Sequence, residues 1–250
     1  SSSSAASDVY KRQASLRDDL QERFGQFPLF KFWGPMAGID STRWIADACI
    51  HTDQSYNPTL TLIYLPHLDY NLQRLGPDPE QIGPDLQALD HEVGRLLDHY
   101  GPQEVQMVIL SEYGITPVSQ PVHLNRILRK NGLIAIREER GLELLDAGAS
   151  EAFAVADHQV AHIYVKDRDR IGEVRDLVAA TPGVERVLEG ASRREAGLDH
   201  ERAGDLIAVA GPDAWFTYYF WLDDARAPDY ARMVDIHKKP GYDPVELMTD

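Results

Sequence analysis

The sequence predicts an α/β fold with a doubly wound, mostly parallel sheet, helices on both faces and a small α/β insert. Three observations predict it. Amphipathic, helix-favouring stretches alternate with short apolar runs in the first half of the chain. The run at 105–110 has almost no polar residue in its interior, which is typical of a strand covered on both faces. Polar side chains also follow the apolar runs directly, where the strand ends of such a sheet hold ligands.

The first half of the chain alternates helix and strand. Gly25 is a suitable stop for the first helix, Ser41 is a suitable N-cap for the second, and Trp44, Ile45 and Ala48 have the spacing of one helix face. The predicted elements are helices at 15–25, 41–52 and 83–100 and strands at 59–63 and 105–110.

The second half changes character after a helix that Asn131 and Gly132 close. A hairpin-like pair of strands at 153–165 and a helix at 170–184 precede strands at 184–190 and 205–212. We therefore expect a core at 14–149, a small α/β insert at 150–212 and a return to the core at 213–250.

The first residues, SSSSAASDVYKRQ, show no initiator methionine, no signal-peptide core and no continuing periodicity. Residues 1–13 are interpreted as a non-native tail of translated adapter sequence, with native protein lost upstream. A flexible natural tail is the alternative.

Composition excludes several classes of function. The net charge of -15 argues against nucleic acid or an anionic membrane as the partner, whereas a phosphorylated small molecule remains compatible through a local metal ion or basic pocket. The single cysteine, Cys49, excludes an intrachain disulfide and a cysteine-rich zinc site. No apolar run is long enough to span a bilayer, so we expect a cytoplasmic protein unless a signal peptide lies upstream.

Four strings resemble one enzyme family when taken in order: PHLDYNLQRLGP, VILSEYGITPVSQPVHLNRILRKNGLI, LDHERAGDLIAVA and DIHKKPGYDP. Together, over residues 14–250, they are similar to the C-terminal half of the alkaline phosphatase superfamily, in its type I phosphodiesterase and nucleotide pyrophosphatase branch. The resemblance implies two divalent metal ions, usually zinc, at strand ends and a Thr or Ser nucleophile that attacks phosphorus. The segment that bears the nucleophile would precede residue 14.

The resemblance also implies the metal ligands. The family's Asp-x-x-x-His pair falls on Asp69 and Gln73, its Ser-Asp-His-Gly falls on a stretch containing Glu112 and Tyr113, and its late histidine falls on His237. Two imidazoles are thus replaced by an amide and a phenol. The resulting oxygen-rich site favours manganese or magnesium over zinc, or has lost one metal.

Each candidate also has a plainer interpretation. Asp69 could cap a turn or helix, Glu112 could pair with Arg126 or Arg129, and Tyr113 could be a packed aromatic. His67 shares a face with Asp69, and could replace the ligand missing at position 73, only if the segment stays extended. We assign substrate contacts to His67, to Lys238, and to His158 and His162, which lie in expected strands.

The sequence leaves three functions open. The first is a metal-dependent hydrolase of phosphodiester, pyrophosphate or phosphomonoester bonds. The second is a binding or scaffold protein on the same fold that has lost a metal, and the third is a phosphoryl mutase or transferase. Because the nucleophile lies outside the chain in the first case, we expect the chain alone to be inactive.

Overall fold

The computed structural model describes residues 15–32 and 36–232. The chain divides into two compact units between Ile115 and Thr116. This division differs in place from the expected start of an insert at residue 150, and the insert boundaries stay a prediction.

The regular elements in the described part of the first unit are helices. Helix α1 covers residues 15–24, and Gly25 follows it with a φ of 76°, a left-handed conformation that glycine adopts without strain. A 3-10 turn at Leu29–Lys31 leads to α2 (Ile39–Tyr56), α3 (His67–Leu75) and α4 (Pro79–Tyr100).

Two of these helices begin earlier than the sequence predicts. Helix α2 starts two residues before Ser41, whose hydroxyl donates to the Gly38 carbonyl at 3.3 Å, so the assignment of Ser41 as N-cap is wrong. Helix α4 starts at Pro79, because Asp78 accepts a hydrogen bond from the Glu80 amide at 3.0 Å and caps the helix.

The two strands predicted in the first unit, at 59–63 and 105–110, are not formed in the described residues. Both segments are irregular there, since a strand requires a partner for its backbone groups and no described segment pairs with them. One side of the first segment does pack as a strand would. Ile63 and Leu65 contact the cluster of Ala46, Leu96 and Tyr100 between α2 and α4, whereas Leu62 is 85% exposed.

The second unit contains the sheets. Strand β1 (Gln120–Val122) pairs in parallel with β8 (Ala214–Phe216), and helix α5 (Leu124–Lys130) precedes an antiparallel hairpin of β2 (Ala135–Glu139) and β3 (Leu142–Asp146). An antiparallel four-stranded sheet has the order β4-β5-β7-β6. Its elements in chain order are β4 (Ala152–Asp157), β5 (Val160–Val165), α6 (Ile171–Ala179), β6 (Val184–Leu188), α7 (Ala191–Glu195) and β7 (Leu206–Ala210).

One hydrophobic core organises the part of the second unit that the structure describes. The largest fully buried side chains in it include Trp221, Phe216, Leu124, Leu128 and Ile163. The α/β class is confirmed, but the parallel pairing in the described residues is limited to β1 and β8. Within the same residues, no helix combines the length and the apolar character that crossing a bilayer requires.

Candidate functional site

Helix α3 positions the first candidate residues. The stretch HLDYN is helical and not extended, which places Asp69 in the first turn and Gln73 four residues later on the same face. Gln73 Nε2 donates to Asp69 Oδ1 at 2.7 Å. The i, i+4 spacing therefore brings these two predicted site residues into direct contact.

Tyr113 completes the group from a distant part of the chain. Its hydroxyl donates to the same oxygen, Asp69 Oδ1, at 2.7 Å. The Ser111 hydroxyl donates to the Tyr113 carbonyl at 2.6 Å and so helps to hold the local turn. We refer to Asp69, Gln73 and Tyr113 as the Asp69 cluster.

The surroundings raise the pKa of two phenols in this region. Partial burial, the hydrogen bond to Asp69 and the charge of Asp69 raise the pKa of Tyr113. Partial burial and the charges of Asp69 and Glu112 also raise the pKa of Tyr64. Glu112 is exposed and adds negative potential to both phenols. Tyr113 is thus a hydrogen-bond donor here.

His67 does not face the Asp69 cluster. Successive helical residues are about 100° apart, so positions two apart point to nearly opposite sides of α3. The buried His67 ring places Nε2 3.1 Å from Asp85 Oδ1, and burial lowers the pKa of His67 although Asp85 opposes the shift. His67 would share a face with Asp69 only in an extended segment, and this condition is not met because the segment is a helix.

Sequence reasoning missed Asp85 and Tyr64. Asp85 Oδ2 accepts a hydrogen bond from Asn71 Nδ2 at 2.7 Å, and Asp85 Oδ1 lies 3.1 Å from His67 Nε2. One α4 carboxylate therefore contacts two side chains of α3. His67 and Asn71 lie four residues apart on one helix face, but this spacing does not point to Asp85 or Tyr64.

The remaining candidates lie elsewhere. His162 is in β5, where its Nδ1 accepts the Gly204 backbone amide at 3.1 Å, and His158 follows β4 in a left-handed conformation with a largely exposed side chain. Their contact with substrate stays a prediction. His237 and Lys238 lie outside the described residues.

The two arginines considered as ion-pair partners of Glu112 pair with other carboxylates. Arg126 pairs with Asp224 at 2.6 Å, and Arg129 pairs with the buried Glu143. These two arginines therefore have other partners.

The donors of the Asp69 cluster do not fit the two-zinc centre that the family resemblance implies. Among the described residues, no three His, Cys, Asp or Glu side chains converge as a metal-holding group. Asp69 Oδ1 accepts two hydrogen bonds, and the cluster contains no imidazole. Gln73 Oε1 is buried and accepts no hydrogen bond from the described chain, but a single neutral amide oxygen binds a dication weakly.

Comparison with solved structures identifies the fold. The phosphonoacetate hydrolase of Sinorhizobium meliloti 1021 in complex with phosphonoacetate has a TM-score of 0.58 at 14% identity, covering 78% of this chain and 46% of that chain. The complex of the same hydrolase with phosphonoformate has a TM-score of 0.57 at 13% identity, covering 88% of this chain and 49% of that chain. Murine ectonucleotide pyrophosphatase/phosphodiesterase 5 has a TM-score of 0.49 at 20% identity, covering 68% of this chain and 43% of that chain. The chain thus spans about half the length of these structures.

The family is identified from the sequence itself. No curated protein matches the chain. Residues 2–243, however, match the family model of type I phosphodiesterase / nucleotide pyrophosphatase. This match covers nearly the whole chain and agrees with the fold likeness to the phosphonoacetate hydrolase. The chain belongs to the type I phosphodiesterase / nucleotide pyrophosphatase family.

Proposed function

We propose that the protein containing this chain hydrolyses a phosphodiester, pyrophosphate or phosphomonoester bond of a phosphorylated small molecule. The observation that carries the proposal is the family match over residues 2–243. The fold likeness to a hydrolase bound to phosphonoacetate is compatible with it.

The proposal includes a Thr or Ser nucleophile that lies outside this chain. Ser111, the side-chain hydroxyl nearest to Tyr113 in sequence, is a poor candidate for this nucleophile. Its hydroxyl already donates a hydrogen bond to a backbone carbonyl at 2.6 Å. Its LSEYG context also lacks the Gly-x-Ser-x-Gly turn that exposes a serine nucleophile. The chain covers 46% of the phosphonoacetate hydrolase, so much of a comparable enzyme has no counterpart here.

The first experiment compares the chain with a longer version of the protein. We expect the longer protein to hydrolyse an aryl phosphodiester or an aryl phosphomonoester and the chain alone to give no rate above the buffer control. Each assay is run with and without a chelator, which measures metal dependence directly. Turnover by the chain alone would contradict the placement of the nucleophile, and an inactive but folded longer protein would contradict the hydrolase.

A binding or scaffold protein on the same fold is the second candidate. The specific observation in its favour is the Asp69 cluster, where protein donors satisfy a carboxylate that the family resemblance assigns to a metal. A folded longer protein that binds an aryl phosphonate, a non-hydrolysable analogue, without hydrolysing the corresponding ester would support this candidate.

A further inference from the structure

We propose that Tyr113 and Gln73 take the place of a metal ion at Asp69, so that the Asp69 cluster is a hydrogen-bonded site that does not bind zinc or manganese. The inference concerns the chemistry of the cluster and holds whether or not the protein is a hydrolase. It reverses the assignment of Asp69, Gln73 and Tyr113 as metal ligands.

The first argument is the direction of the hydrogen bonds. The Tyr113 hydroxyl and the Gln73 amide nitrogen both lie 2.7 Å from Asp69 Oδ1, a short distance typical of bonds to an ionised carboxylate. Each donor presents a hydrogen, and hence the positive end of a dipole, to that oxygen. A cation at the same oxygen would have to displace at least one donor and would meet the positive end of the other.

The second argument is the balance of charge. A partly buried carboxylate is costly unless it is paired or hydrogen-bonded. Two donors supply that compensation from within the chain, one from the same face of α3 and one from Tyr113, 44 residues away. The carboxylate therefore does not require a dication to be stable in the folded state.

The third argument is the chemistry of the replaced side chains. A neutral imidazole offers a lone pair to a metal while its second nitrogen donates to another group. In the observed arrangement, the Gln73 amide nitrogen donates a hydrogen bond to Asp69, which leaves the neutral amide oxygen as the remaining ligand atom of Gln73. The Tyr113 hydroxyl also donates its hydrogen bond to Asp69. Neither replacement reproduces the ligand that histidine would supply.

Titration calorimetry with zinc and, separately, manganese tests the proposal on the full chain. The variants are Asp69→Asn and Asp90→Asn; Asp90 is an exposed α4 carboxylate whose loss changes the net charge equally. The proposal predicts the same stoichiometry and affinity for native protein and both variants. Removing a genuine ligand weakens binding by about tenfold or more. A loss of that size, or of one equivalent of metal, in Asp69→Asn but not in Asp90→Asn would overturn the proposal.

The converse experiment introduces the missing imidazoles. The double variant Gln73→His/Tyr113→His is expected to gain one equivalent of zinc, and adding Asp69→Asn is expected to remove it. Circular dichroism establishes that each variant is folded. A folded double variant that gains no zinc would contradict the idea that the two side chains occupy a metal position.

These measurements are independent of the phosphoester assay. A metal-free Asp69 in an inactive protein would refute the hydrolase alone, whereas an Asp69-dependent metal in an active protein would refute this inference alone. If the double-histidine variant does not fold, the Asp69→Asn comparison decides the question by itself.

Discussion

Among the described residues of the second unit, buried charge is concentrated on Glu143. Its side chain is 2% exposed, and Arg129 Nη2 donates to its Oε1 at 3.0 Å while Arg226 Nη1 lies 3.2 Å from the same oxygen. The hydrogen bonds from Arg129 lower the pKa of Glu143 below its ordinary value of 4.5 although burial opposes the shift. A buried carboxylate thus stays ionised because two guanidinium groups flank it.

This lowered pKa predicts a pH dependence of stability. Because the folded pKa lies below the unfolded one, the stabilisation is present above pH 4.5 and is lost as the pH falls through the folded pKa. Measured by urea unfolding from pH 7 down to below pH 4.5, the free energy of unfolding should decrease as the pH decreases. Glu143→Gln should make this decrease smaller. Identical slopes in the two proteins would contradict the assignment.

Removing the arginine tests the same pair from the other side. Arg129→Ala leaves a buried carboxylate with Arg226 as its remaining cation among the described residues and should cost about 3 kcal/mol at pH 7. Arg137→Ala is the matched control, since Arg137 pairs with Glu139 on the surface and should cost less than about 1 kcal/mol.

Local signals predict α4 in the first unit and α6 and β4 to β7 in the second, whereas β1, β2, β3 and β8 are not predicted. The amphipathic spacing that became α4 and the alternation that became β4 and β5 are both properties of neighbouring residues. The segments at 59–63 and 105–110 have equally strong apolar runs and yet are irregular in the described residues. Strand formation depends on a partner from elsewhere, which a local pattern does not specify.

The irregular apolar segments predict a liability of the isolated chain. Leu62 is 85% exposed and Leu110 is 77% exposed, whereas Ile63 packs against α2 and α4. Exposed apolar side chains on segments without strand partners promote association between copies. Leu62→Lys should therefore reduce concentration-dependent association in sedimentation experiments with little change in stability.

The neighbouring position provides the control. Ile63→Lys places a charge in the packed side of the segment and should destabilise the first unit. Equal effects of the two substitutions on stability would contradict the alternating arrangement.

The candidate site shows where prediction from sequence ends. From the sequence, the family resemblance alone links Asp69, Gln73 and Tyr113. The helical state of α3 was not predicted, and it decides that Gln73 touches Asp69 while His67 turns to Asp85. Which atoms donate and which accept also depends on this geometry, so a metal site and a hydrogen-bonded site cannot be distinguished from the string of residues.

The division of the molecule into two units predicts a preferred site of proteolysis. The units meet in sequence at Ile115 and Thr116, within residues 114–119, which are largely exposed and have no regular secondary structure. Exposed segments of this kind are preferred cleavage sites. Limited digestion with subtilisin should first yield fragments ending near residue 115, and first cuts within α4 or β7 instead would contradict the division.

A double-mutant cycle between Asp69→Ala and Tyr113→Phe measures the contact on which the account of the Asp69 cluster depends. With the phenol donating to Asp69 Oδ1 at 2.7 Å, the free energies of unfolding should show a coupling of about 1 kcal/mol or more between the two changes. Additive effects within about 0.3 kcal/mol would mean that Tyr113 does not hold Asp69 and would contradict the account.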